Sequence, residues 1–348
     1  MIVVPGSIPK IILSVLFFNF VLLLLMQSSK KISLFIKVTI VCLAFWFLYQ
    51  KVFLNDSYSE VKTQFLSILS EGNYIEIIIV FSLMFVNWSI DATKWQFLVS
   101  KLENVSFWLA IKAVFLGITV SLFTPNRVGE FGGRVFCLQK ADRIKAVLVT
   151  IFGNITQLVI TIIFGLLSFV YFSSKYTYLI FAKNDYGIYF LIVLSLIITT
   201  LLIYSLYNIS QISSLFSRFK FLKKYNSYAT IFSLYSTKDI SKVLFLSILR
   251  YGVYSCQFFL LIKFVNIDIN LLQSFSMSAL TFLSMSIIPT IALTELGVRG
   301  SVAIYFFGFL SSNTIGILTA SFALWIINLV IPAVLGVLFV YQLKFFRK

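Results

Sequence analysis

The feature that most restricts this chain is Thr124-Pro125-Asn126-Arg127-Val128-Gly129-Glu130-Phe131-Gly132-Gly133-Arg134, a polar break inside apolar sequence. A proline, three glycines, a carboxylate and two guanidiniums interrupt what would otherwise read as one more hydrophobic helix. Proline removes a backbone donor, glycines loosen a helix, and charges near hydrocarbon are costly unless paired or wetted. Such backbone persists at membrane depth only where protein buries it or where it lines a wet cavity. A broken or re-entrant helix is expected here.

Composition supplies the membrane premise. The chain is 60% hydrophobic and 11% charged, with a mean hydropathy of +0.99, which excludes an ordinary soluble domain. A span needs about 20 apolar residues, so the expected fold is all-α and polytopic, with about eight to ten transmembrane helices. Residues 1–31 hold a first apolar run, at 8–26, expected to be a retained span or anchor. Residues 32–348 then form one transmembrane domain. Its apolar stretches lie at 32–54, from Tyr74, and at 106–124, 144–172, 186–207, 243–265, 270–288, 301–311 and 314–343. The longest polar connection is 209–241.

The same composition excludes much chemistry. There is no histidine, so histidine acid–base catalysis, haem ligation and His-x-x-x-His zinc sites are ruled out. Cys42, Cys137 and Cys256 are scattered and read as small apolar fillers. No glycine-rich nucleotide loop and no Gly-x-Ser-x-Gly occurs. No catalytic residue, metal site or cofactor is expected. The net charge of +16 fits cytoplasmic loops and anionic lipid headgroups, and no nucleic-acid partner is expected.

A second polar break follows another apolar stretch: Pro289-Thr290-Ile291-Ala292-Leu293-Thr294-Glu295-Leu296-Gly297-Val298-Arg299-Gly300. Both breaks contain Glu-x-Gly-x-Arg, and two of the five prolines stand at corresponding points. Broken segments recurring in two halves of a membrane protein point to a transport site. Equally, each Glu and Arg, four apart, can form an ion pair that holds a helical hairpin together. The two readings are compatible, and both stand.

Asn87-Trp88 to Lys94-Trp95 closes the stretch from Tyr74. Trp88 and Trp95 fit an interfacial belt, and Asp91 and Lys94 can pair on one helix face, so an interfacial helix end is expected. Basic residues concentrate around the first break (Arg127, Arg134, Lys140, Arg143, Lys145), in the 209–242 connection and in the tail. Placing these segments together puts both breaks and the C-terminus on the cytoplasmic side, with both breaks starting from one face.

In this order the Asn-Trp element and the two proline–glutamate breaks resemble the flippase-like transmembrane family named after lysylphosphatidylglycerol synthase. The resemblance runs from about residue 32 to the tail. It implies a cell-membrane protein, in a bacterial inner membrane, that moves a lipid between leaflets. In two-part relatives a soluble domain makes the aminoacylated lipid. Here the chain ends five residues past Leu343, so the translocating half is implied. The implied partners are an anionic or aminoacylated phospholipid or a polyprenyl-linked lipid, with a separate lipid-modifying enzyme. The alternative is a membrane-embedded enzyme or an accessory subunit for envelope lipid or glycan synthesis.

Residues expected to touch substrate are Arg127, Glu130, Arg134, Glu295 and Arg299. Arginine's planar fork matches phosphate, and a glutamate matches a cationic headgroup or carries a proton. Pro125, Gly129, Gly132, Gly133, Pro289, Gly297, Trp88, Asp91, Lys94 and Trp95 are expected to shape the motifs.

Overall fold

The computed structural model describes residues 63, 66, 67, 74–122, 124, 127–176, 185–211, 230–288 and 292–340. The apolar runs at 8–26 and 32–54, Pro125, Pro289 and the basic tail lie outside the described residues. Every regular element among the described residues is a helix. Lengths separate these helices into two kinds. Five segments are long and apolar enough to cross a bilayer: α1 (Tyr74–Val99), α4 (Arg143–Tyr176), α5 (Asp185–Tyr207), α6 (Thr237–Phe264) and the combined Thr314–Val337 segment. The protein is an all-α, multi-pass membrane protein.

The combined segment is α9 (Thr314–Trp325), a wider π turn (Ile326–Val330) and α10 (Ile331–Val337). Pro332 explains the widening. It has no N–H for the carbonyl of Asn328 and its ring pushes that carbonyl aside, so the ladder shifts register.

The other helices are too short to cross. Helix α2 (Phe107–Ser121) has 15 residues, a rise of about 22 Å against about 30 Å of hydrocarbon. It starts on Ser106, whose side chain accepts the Leu109 N–H. After the polar break, α3 (Gly129–Val135) folds back against it. Helix α7 (Leu271–Ile287) starts on a capping box between Asn270 and Gln273, and α8 (Ala292–Phe307) returns along it. Both breaks are thus the tips of helical hairpins.

Contacts at the two ends of the bundle fix where each hairpin enters. At the first end, the Glu103 carboxylate accepts backbone N–H groups of Gln139, Lys140 and Ala141, the closest at 2.7 Å. The start of α2 and the exit from α3 therefore lie together. Lys101 pairs with Asp239 at 3.3 Å, and Tyr207 meets Ser241 at 2.7 Å, so α1 and α5 end there and α6 begins there. Helix α10 runs back toward this end beside α2: the Thr119 hydroxyl donates to the Ala333 carbonyl at 2.8 Å, and Lys112 lies over Phe339.

At the second end, Gln273 donates to the Tyr176 hydroxyl at 3.4 Å, and Phe309 packs edge-on to Phe172 at 5.0 Å. The entry to α7 and the exit from α8 therefore lie with the end of α4. The first hairpin enters from one end of the bundle and the second from the other.

This corrects the expectation that both breaks start from one face. That expectation treated 106–124 and 270–288 as full crossings, whereas α2 and α7 turn back part-way. Three crossings, α4, α5 and α6, separate the hairpins, and an odd number reverses the face of entry. The described basic residues Lys101, Lys140, Arg143, Lys145, Lys238 and Lys242 nevertheless gather at the first end.

Topology is open to a direct check. With Cys42, Cys137 and Cys256 replaced by alanine, Lys140→Cys and Asp268→Cys should react with an impermeant maleimide from opposite sides of sealed vesicles. Labelling of both from the same side would contradict opposed hairpins.

Candidate functional site

The polar residues of the bundle gather at mid-depth in two linked clusters. Arg250, for instance, lies near the middle of α6, about 20 Å from its start at 1.5 Å per residue.

The first cluster centres on Asp91, which is fully buried. Arg134 reaches it from α3 at 2.6 Å, Arg250 from α6 at 3.1 Å, and Lys94 from one turn along α1 at 3.4 Å. Arg134 is also paired with Glu130. Lys94 donates further to Gln157 at 3.3 Å and Ser247 at 3.5 Å. Ions so far from water persist only where partners of opposite charge and hydrogen bonds replace hydration.

Asp91, Lys94, Trp88 and Trp95 therefore do not form an interfacial helix end. Trp95 is buried with its indole N–H on the Thr150 hydroxyl at 3.0 Å, and Trp88 lies under the Arg250 guanidinium at 4.9 Å. The two indoles are seven residues apart, which puts them on one helix face, and that face packs inward.

The second cluster joins the hairpin tips. Glu295, in the first turn of α8, receives Arg127 at 2.6 Å and Arg299 at 3.1 Å, and Arg299 also donates to the Tyr254 hydroxyl at 3.3 Å. Arg127 and Glu295 are 168 residues apart in the chain. Both i,i+4 pairs allowed by the Glu-x-Gly-x-Arg spacing are present, Glu130–Arg134 and Glu295–Arg299.

The first tip is held by Thr124. Its hydroxyl accepts the Gly129 N–H at 2.8 Å, and its carbonyl accepts the Arg127 N–H at 3.2 Å. A Cβ on Gly129 would sit 2.6 Å from the Val120 carbonyl oxygen, and one on Gly133 would sit 2.7 Å from the Gly117 Cα. These two glycines let α3 lie against α2. Gly132 and Gly297 meet no such obstacle, so packing does not demand glycine at either position. Arg127 itself has φ 57°, a left-handed conformation that costs an L-residue roughly 1–2 kcal/mol. The ion pair with Glu295 and the Thr124 turn hold it there.

Between the clusters lies a cavity of about 610 Å³. Its charged lining is Arg127, Arg250, Arg299 and Glu295. Asn87 and Asn328, hydrogen-bonded at 3.2 Å, and Trp88, Tyr251, Tyr254 and Trp325 belong to its polar and aromatic lining. Leu122, Met285, Ile287, Ile288 and Leu329 supply an apolar part, of which Ile287 and Ile288 are exposed.

Of the five residues expected to touch substrate, the structure brings Arg127, Glu295 and Arg299 to the cavity. It does not bring Glu130 or Arg134, which belong to the buried cluster behind it. Arg250, Tyr254, Asn87 and Asn328 are site residues that motif reading missed. A signal for Arg250 was present, because an arginine in the middle of an apolar span is costly unless it has a role.

Crossing helices, two opposed hairpins and a cavity with a partly charged lining define a multi-pass membrane protein with a cavity between its helices. The family described as lysylphosphatidylglycerol synthase TM region matches residues 34–340, and the chain belongs to that family. It is thus a membrane protein related to lipid metabolism. No curated protein matches the chain.

The role of Asp91 can be tested by stability. Asp91→Asn leaves Lys94, Arg134 and Arg250 facing one another without their shared counter-charge, and breaking such a buried pair costs about 3–5 kcal/mol. Thermal unfolding in detergent should show a marked loss of stability in this variant. Retention of wild-type stability would mean that Asp91 does not hold the cluster together.

Proposed function

We propose that this protein is a lipid translocase, in which a headgroup passes between leaflets through the cavity while the acyl chains stay in the bilayer. The observation that carries this reading is the cavity itself. Its lining combines three guanidiniums and a carboxylate with apolar residues, and it lies where the tips of hairpins that enter from opposite ends meet.

A headgroup in transit has to exchange hydration for protein groups across about 30 Å of hydrocarbon. The guanidiniums of Arg127, Arg250 and Arg299 supply such groups. The exposed Ile287 and Ile288 offer an apolar rim along which acyl chains can remain in lipid. Opposed hairpins also suit alternating access, since loosening one tip from the other opens the chamber toward one side. The Arg127–Glu295 pair is where the tips are joined. In this reading the basic-rich first end, with the C-terminus, faces the cytoplasm.

The direct test is movement of a reporter-labelled lipid across vesicles containing the purified protein. Absence of transport above protein-free vesicles would remove the proposal.

Arg127→Lys separates a positive anchor from a bidentate ligand. Lysine keeps the charge but not the planar fork. Translocation is expected to fall by about tenfold, the equivalent of one charge-assisted hydrogen bond, with membrane insertion unchanged. Wild-type rates at matched protein levels would return Arg127 to a merely electrostatic role.

A further inference from the structure

Building on the translocase reading, we infer that the cavity takes a lipid headgroup of net negative charge, a phosphate ester without a cationic amine. The inference rests on how the charges of the two clusters are already committed.

Three guanidiniums line the cavity, on Arg127, Arg250 and Arg299, against one carboxylate, on Glu295. That carboxylate is not free for a ligand ammonium, because Arg127 and Arg299 both bind it. Asp91 is not part of the lining, and Arg134, Arg250 and Lys94 share it. Glu130 is occupied by Arg134. Among the described residues, five cations in these clusters face three carboxylates, so the surroundings of the cavity carry two uncompensated positive charges. Excess charge at membrane depth calls for a counter-ion.

The side-chain chemistry of the lining points the same way, with three guanidiniums facing the cavity. A phosphate ester is rich in acceptors and poor in donors, and arginine forks match its paired oxygens. Aminoacylation with lysine would add ammonium groups and turn the headgroup net positive, against a lining that already holds three guanidiniums and one carboxylate.

Binding and movement are tested in parallel with the purified full-length protein. Thermal stabilisation in detergent compares phosphatidylglycerol, lysylphosphatidylglycerol, phosphatidylcholine and inorganic phosphate, and vesicle transport compares the three lipids. Phosphatidylglycerol should act at a concentration at least about tenfold lower than the other two lipids, as the attraction of a partly desolvated charge implies. Arg299→Gln, which removes one lining charge, should narrow that preference.

Equal or stronger action of lysylphosphatidylglycerol would overturn the inference while leaving translocation in place. Equal stabilisation by inorganic phosphate would also overturn it, assigning the wall to a free anion. Phosphatidylglycerol that binds selectively but is not moved would overturn the translocase reading and support the anionic class. Loss of folding in Arg299→Gln does not affect the decision, because the comparison of lipids is made on the wild-type protein.

Discussion

The architecture depends on one carboxylate held out of water. Asp91 is fully buried and shared by Arg134, Arg250 and Lys94. These four groups come from α1, α3 and α6, so a single ionic node joins two crossing helices to the first hairpin. In water such a node would add little, because exposed ion pairs are screened and mobile. At membrane depth the alternative to pairing is an unsolvated ion, so the node specifies where α3 must lie even if its net stabilisation is small. The Lys94 contacts to Gln157 and Ser247 extend the same network to α4 and back to α6.

From that node the rest of the site follows by geometry. Arg134 holds α3 down, Gly129 and Gly133 let it approach α2 closely, and the tip carries Arg127 toward Glu295 of the opposing hairpin. The left-handed conformation of Arg127 is a local cost accepted where the two halves meet. Pro332 makes a comparable local exception in the last crossing segment, and the π turn it induces contains Asn328, which joins Asn87 at the cavity wall. Irregular backbone thus collects around the chamber, as expected where protein or a wet cavity shelters it from lipid.

Much of this was legible before folding. Apolar composition determined the all-helical membrane class, because hydrocarbon leaves backbone polar groups no partners outside the segment itself. The two Glu-x-Gly-x-Arg breaks announced both hairpins and both i,i+4 pairs, since each pair depends only on spacing along one helix. The capping residues Ser106 and Asn270 likewise act within a few residues of themselves.

Long-range choices were not legible. Nothing in the local pattern around Trp88, Asp91, Lys94 and Trp95 distinguishes a helix surface at the interface from one packed inside, because both accept amphipathic rings and paired charges. The partner of Arg127 lies 168 residues away and that of Arg134, beyond its own helix, 43 residues away. The face from which each hairpin enters depends on whether α2 and α7 cross or turn back, and apolar sequence alone is compatible with either. By itself the sequence determined that this chain lies in a membrane, is helical and breaks twice at charged turns. Only tertiary structure decided that the breaks meet from opposite ends, that Arg134 and Glu130 are held behind the wall, and that Arg250 stands on it, because these outcomes turn on which distant charges share a space without water.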